Sequence, residues 1–124
     1  MNETISTELA PKAIGPYSQA IKSGNLLFLS GVMPINPETS ELEESDIVVQ
    51  ASRIMKNVDA LLNAAGYSVN DVVKTTCFLA NIEDFAKFNE VYADYFVSKP
   101  ARSCVAVKDL PKKALVEVEV IASK

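Results

Sequence analysis

The chain has 124 residues, 48% hydrophobic and 23% charged, the balance of an ordinary globular protein, and at this length one domain buries roughly two thirds of its extended-chain surface. It has no His and no Trp, two cysteines and a net charge of −4. This removes the commonest general base and the commonest zinc ligand, and it sets the whole-molecule field against phosphate backbones.

The apolar runs fall well short of the ~18 residues that suggest a membrane span. Cys77 and Cys104 lack metal-type spacing, and no charged region followed by an apolar leader opens the chain, so a reducing, cytoplasmic setting is expected. The densest basic stretch, Lys108 to Lys113, contains Asp109 and no interleaved aromatic residue, which argues against a nucleic-acid partner.

In chain order, Tyr17 to Val32 reads as a hairpin. Gly24-Asn25 supplies the turn between Ser18 to Lys22 and Leu26 to Ser30. Pro34 and Pro37 then break regular structure, and Asn36 to Glu44 reads as a surface loop. Asp46 is placed to cap a long helix whose apolar residues Ile47, Ala51, Ile54, Met55, Val58, Leu61, Leu62 and Ala65 recur at three and four, with Gly66 ending it.

Val72 to Leu79 is rich in β-branched residues and reads as a strand. A second helix over Asp84 to Val97 gathers Phe85, Phe88, Tyr92, Tyr95 and Phe96 on one broad face, and Pro100 ends it. Strands over Arg102 to Val107 and Leu115 to Ala122 flank a loop at Leu110-Pro111. The order β-β-α-β-α-β-β implies an α+β domain with both helices packed on one face of a mixed sheet. In the last strand Val116, Val118, Val120 and Ala122 alternate with Leu115, Glu117, Glu119 and Ile121, so apolar residues lie on both sides. An uncovered apolar face implies a homo-oligomer, unless the N-terminal arm or the Pro-rich loop folds over it.

Few residues could carry chemistry. Arg102 opens a strand on the same side as Cys104, and its planar fork matches a carboxylate or phosphate bidentately. On this residue alone, a structural ion pair with a nearby Glu is the favoured reading. Glu117 and Glu119 share a strand face, where one could deprotonate a water or both could simply line a solvated rim. Cys104 has no His to activate it, so packing or backbone contact is expected rather than nucleophilic attack. Gly15-Pro16-Tyr17-Ser18 presents a phenol, Ser30-Gly31 offers a backbone amide, and Asn89 sets a polar amide beside the aromatic stripe of its helix.

Taken together, Ile14-Gly15-Pro16-Tyr17-Ser18-Gln19-Ala20, Ser30-Gly31, Asp71 to Thr75, Pro100-Ala101-Arg102-Ser103-Cys104-Val105, Leu110-Pro111 and Val116 to Ala122 resemble the reactive intermediate deaminase (Rid) family, also called L-PSP endoribonucleases. The resemblance runs from about Thr4 to Ala122 and makes residues 1–124 a single Rid-type domain. It implies a chorismate-mutase-like α+β fold assembled as a homotrimer, with substrate clefts between neighbouring subunits. It also implies that Arg102 binds the substrate carboxylate and that Glu117 places the attacking water. Tyr17, Ser30, the backbone of Gly31 and Cys104 would make further contacts, with Phe88 and Asn89 in the cleft wall. The segment Tyr95 to Pro100 looks shorter than in many relatives, which bears on the shape of that wall.

The implied reaction is hydrolysis of 2-iminobutanoate and 2-iminopropanoate, or their enamines, to 2-keto acids and ammonia, needing no metal or organic cofactor. Two rival readings are an endoribonuclease or translation inhibitor, and a non-catalytic module that binds a small carboxylate.

Overall fold

In the computed structural model, which describes residues 1–124, the chain opens on a strand absent from the sequence-based order. This strand, β1 (Glu3–Ile5), pairs antiparallel with β2 (Ala20–Ser23), and Ile5 at its end is buried. β2 turns into β3 (Leu26–Leu29) through Gly24-Asn25, with Ser23 opposite Leu26 and Gly24 at φ 60°, the left-handed conformation that a two-residue hairpin turn requires. The expected hairpin therefore forms, with each strand slightly shorter than its apolar pattern.

The stretch expected to be a surface loop instead holds a small ribbon, β4 (Ile35–Asn36) against β5 (Glu41–Leu42). Polar side chains of the following helix hold it. Asn57 donates to the Met33 and Ile35 carbonyls at 3.1 and 2.9 Å, and Gln50 donates to the Glu43 and Glu44 carbonyls at 3.2 Å each. Both residues are fully buried, and these bonds offset the desolvation of their amide nitrogens, while Asn57 Oδ1 has no partner.

That helix, α1 (Ile47–Ala64), begins where Asp46 Oδ1 accepts from the Val48 and Val49 amides at 2.9 and 3.1 Å. It ends before Gly66 at φ 81°. β6 (Val72–Leu79), α2 (Phe85–Tyr95) and β7 (Ala101–Ala106) follow, and β8 (Val116–Ser123) closes the chain.

The six-stranded sheet has the order β1-β2-β3-β8-β6-β7. Its pairs are antiparallel except β6 with β7, which are parallel and joined by α2, as a helical crossover requires. Val116, Val118, Val120 and Ala122 of β8 point under the helices and are buried, joined there by Leu27, Leu29, Cys77 and Leu79.

The opposite face has no covering element. Across it run the rows Ile21-Phe28-Ile121-Lys74 and Glu117-Phe78-Val105, with Phe28 40% and Val105 46% exposed. The N-terminal arm extends the sheet edge and the Pro-rich ribbon docks on α1, so neither closes this face. The domain is α+β with both helices on one side of a mixed sheet, as expected, plus one edge strand and one ribbon.

Candidate active site

Arg102 sits on β7, the free edge of the sheet, directly opposite the buried Thr75 of β6. Parity turns its side chain to the helix side, where α2 provides a floor. The guanidinium carbon lies 4.6 Å from the Tyr92 ring centroid and 5.5 Å from that of Phe85, and Nη1 donates to Asn89 Oδ1. No carboxylate pairs with it; the one ion pair in the chain is Arg53 with Glu43 at 2.9 Å. The structural ion pair favoured for Arg102 from sequence is thus replaced by a cation held on aromatic faces, which leaves part of its donor fork for an anion.

Around this guanidinium, a concavity of about 360 Å³ is lined by Asn89, Tyr92, Phe96, Lys99, Pro100 and Arg102, among others. Cys104, two residues along β7, is half-buried, and burial pushes its thiol up while Arg102 pulls the other way. Burial also pushes the neighbouring Cys77 thiol up to about 12. Neither sulfur is therefore a ready thiolate at neutral pH.

The second acidic or basic centre is elsewhere. Tyr17, Ser30, Gly31 and Glu117 line a cavity of about 510 Å³ with Lys12, Ile14, Met33, Ile35, Pro111 and Lys112. Glu117 lies on β8 inside the sheet, not at an edge, and is half-buried while Glu119 is exposed. Desolvation by burial, reinforced by the negative charge of Glu119, raises the Glu117 carboxyl above the usual carboxylate range.

Gly31 explains how that carboxylate fits. A Cβ built on Gly31 would stand 1.9 Å from Glu117 Oε2 and 2.8 Å from Cδ, so only a residue without a side chain lets the carboxylate lie across this backbone. Ser30 Oγ donates to the Ser18 carbonyl at 2.6 Å and ties the Tyr17 turn to the same wall. Tyr17 itself is 52% exposed at the rim.

The structure thus brings the expected residues together as two groups rather than one. Arg102, Asn89 and Cys104 belong to the helix side at the β7 edge; Tyr17, Ser30, Gly31 and Glu117 belong to the open-face side. Phe88 joins neither. It is fully buried, packed with its ring centroid 5.8 Å from that of Tyr92, because helical periodicity points it at the centre of the core; the expected wall position is corrected to a packing role. Sequence reasoning also passed over Tyr92 as floor and Thr75 beneath it. The available signal was a hydroxyl in an aromatic stripe, three residues after Asn89, facing a Thr in an otherwise apolar strand face.

Comparison with known proteins agrees with this architecture. The family described as "Endoribonuclease L-PSP" matches residues 7–124. A "RutC family protein" of Pyrococcus horikoshii is 57% identical, covering 100% of this chain and 99% of its own. A protein of Escherichia coli named 2-iminobutanoate/2-iminopropanoate deaminase is 46% identical, with 98% of each chain covered. A crystal structure from Yersinia pestis, described as a protein of unknown function of the conserved Rid family, superposes with a TM-score of 0.98 at 50% identity over the full length of both chains. The chain therefore belongs to the Rid, or L-PSP endoribonuclease, family, and its fold is the one that family's solved structures share.

Proposed function

We propose that this protein hydrolyses reactive 2-imino acids or their enamines, such as 2-iminobutanoate and 2-iminopropanoate, to 2-keto acids and ammonia. The observation that carries the reading is the half-buried Arg102 guanidinium, held on Tyr92 and Phe85 and paired with no carboxylate of its own chain. A group so prepared gains most from an incoming planar carboxylate. The E. coli relative's name supports the same chemistry.

In this reading Arg102 fixes the carboxylate and Glu117 takes a proton from a water that adds to the imine carbon. That proton passes to nitrogen, giving a carbinolamine; a second proton then moves from its hydroxyl, through the same carboxylate, to nitrogen, so that the C–N bond breaks, the carbonyl of the 2-keto acid forms and ammonia leaves. Burial and the charge of Glu119 push the Glu117 carboxyl up, which makes its carboxylate a stronger proton acceptor for the water. Orientation and proton transfer suffice for an imine, which already hydrolyses in water.

Arg102 and Glu117 lie on opposite faces of one sheet, so the cleft is completed by apposing two copies. The uncovered apolar face of Phe28, Phe78, Ile121 and Val105 supplies the contact. Three copies around an axis close this arrangement with equivalent clefts. Sedimentation equilibrium at micromolar concentration is expected to give a trimer, and a stable monomer would contradict the shared cleft.

A pure carboxylate-binding module gains nothing from a second negative charge near the bound anion, and no basic, aromatic track favours RNA. The deciding assay generates imines with an amino-acid oxidase and traps them with semicarbazide. Added protein should lower semicarbazone formation from 2-iminobutanoate in proportion to its concentration. Unchanged trapping would refute the deaminase reading.

A further inference from the structure

Thr75 is the buried polar residue of β6 whose place the reaction above leaves unexplained. It is fully buried, in a strand face otherwise made of Val72, Cys77 and Leu79, where valine would pack equally well without a hydroxyl to satisfy. Its Oγ1 lies 2.7 Å from the Tyr92 hydroxyl. It also stands directly opposite Arg102 in the β6–β7 ladder.

These contacts close a loop. The β6 backbone holds Thr75 and, through the ladder, sets the start of β7. Thr75 ties down the tip of the Tyr92 ring, which Phe88 and Phe96 flank at centroid distances of 5.8 and 4.6 Å. The face of that ring carries the Arg102 guanidinium at 4.6 Å, while Asn89 holds one of its nitrogens. Burial pushes the Tyr92 phenol up, so the hydroxyl stays protonated at neutral pH and the pair remains a neutral hydrogen bond.

The geometry points to Thr75 and Tyr92 as positioning residues: their buried hydroxyl pair fixes the ring beneath Arg102 and thereby sets the plane in which its fork meets a substrate carboxylate. This inference rests on the reading of Arg102 as the carboxylate anchor. A flat, delocalised cation gains from a pre-set plane because little rotational freedom is then lost when the anion arrives. Without the tie, the ring keeps its packing but can tilt, and the fork tilts with it.

The test uses the assembled protein and the variants Thr75→Val, Tyr92→Phe and the double variant. It reads thermal melting, turnover of 2-iminobutanoate, and the Kd of 2-oxobutanoate by calorimetry. Each single variant strands one hydroxyl and should melt lower, with KM and Kd raised roughly 5-fold and kcat changed by less than about 2-fold, as expected for lost uniform binding. The double variant strands neither hydroxyl, so its melting temperature should recover while KM and Kd stay raised. Recovery of KM and Kd along with melting would reduce the pair to a packing role and overturn the inference. An unchanged Kd in Thr75→Val would do the same. A wild-type protein that binds 2-oxobutanoate without turning over imine fails the deaminase reading alone, and the Kd comparison still decides the positioning role. Failure of the wild type to bind 2-oxobutanoate overturns both.

Discussion

Arg102→Lys is expected to lose most activity on 2-iminobutanoate although the charge is kept. The present side chain rests on two aromatic faces, at 4.6 Å from Tyr92 and 5.5 Å from Phe85, and donates to Asn89 while the rest of its fork stays available. A lysine ammonium is a compact, strongly hydrated charge that cannot stack and cannot offer two parallel donors to one carboxylate. Losing one charge-assisted hydrogen bond, worth about 1.5–3 kcal/mol, lowers kcat/KM by roughly 10- to 150-fold. Because no native carboxylate pairs with Arg102, the substitution strands no buried anion, and melting should change little. The semicarbazide assay with a parallel melting curve checks both. Near wild-type turnover in Arg102→Lys would mean that another group anchors the carboxylate.

The sequence made some of this legible and not the rest, for physical reasons that differ by element. β8 was readable because its strict alternation buries Val116, Val118, Val120 and Ala122, and α1 because Asp46 and Gly66 punctuate a clear period. β1 carried no such pattern, since Glu3-Thr4-Ile5 becomes a strand only by pairing with β2. The β4–β5 ribbon was hidden by Pro34 and Pro37 and depends on Gln50 and Asn57, distant polar residues that an apolar count ignores.

At the site, periodicity gave the face of α2 but not depth. Phe88 and Tyr92 share that face, and only the tertiary packing makes one a pure core residue and the other the floor under a cation. Arg102 was recognisable as a carboxylate partner by residue type, yet its freedom from any internal ion pair is a long-range property that no local pattern encodes. Gly31 is similar. Its need for glycine comes from the Glu117 carboxylate lying over it, 86 positions later in the chain by the difference of their numbers, and not from an unusual φ.

Glu117→Gln is expected to cut turnover by roughly 10²-fold, the usual worth of a positioned general base, while Glu119→Gln leaves neutral-pH turnover nearly intact. The two residues share a strand face, but Glu117 is half-buried over Gly31 in the cavity and Glu119 is exposed outside it. The pH profile separates them further. Burial and the charge of Glu119 raise the Glu117 carboxyl above its ordinary 4.5, so the acid limb of kcat/KM should lie above the normal carboxylate range. Removing the Glu119 charge withdraws the second of those causes, and Glu119→Gln should move the limb to lower pH. The stability effect has the opposite sense to the activity loss. A carboxyl whose folded pKa is raised contributes stability that is present below its unfolded pKa and lost as pH rises through the folded value. Glu117→Gln should therefore melt higher than wild type at neutral pH, with the difference vanishing below about pH 4, where wild-type Glu117 is protonated in both states. Lost turnover together with raised melting cannot come from misfolding. Equal, mild losses in both variants would mean that neither acid is the base and that Arg102 and backbone groups do the positioning; a larger loss in Glu119→Gln would place the base two residues further along β8.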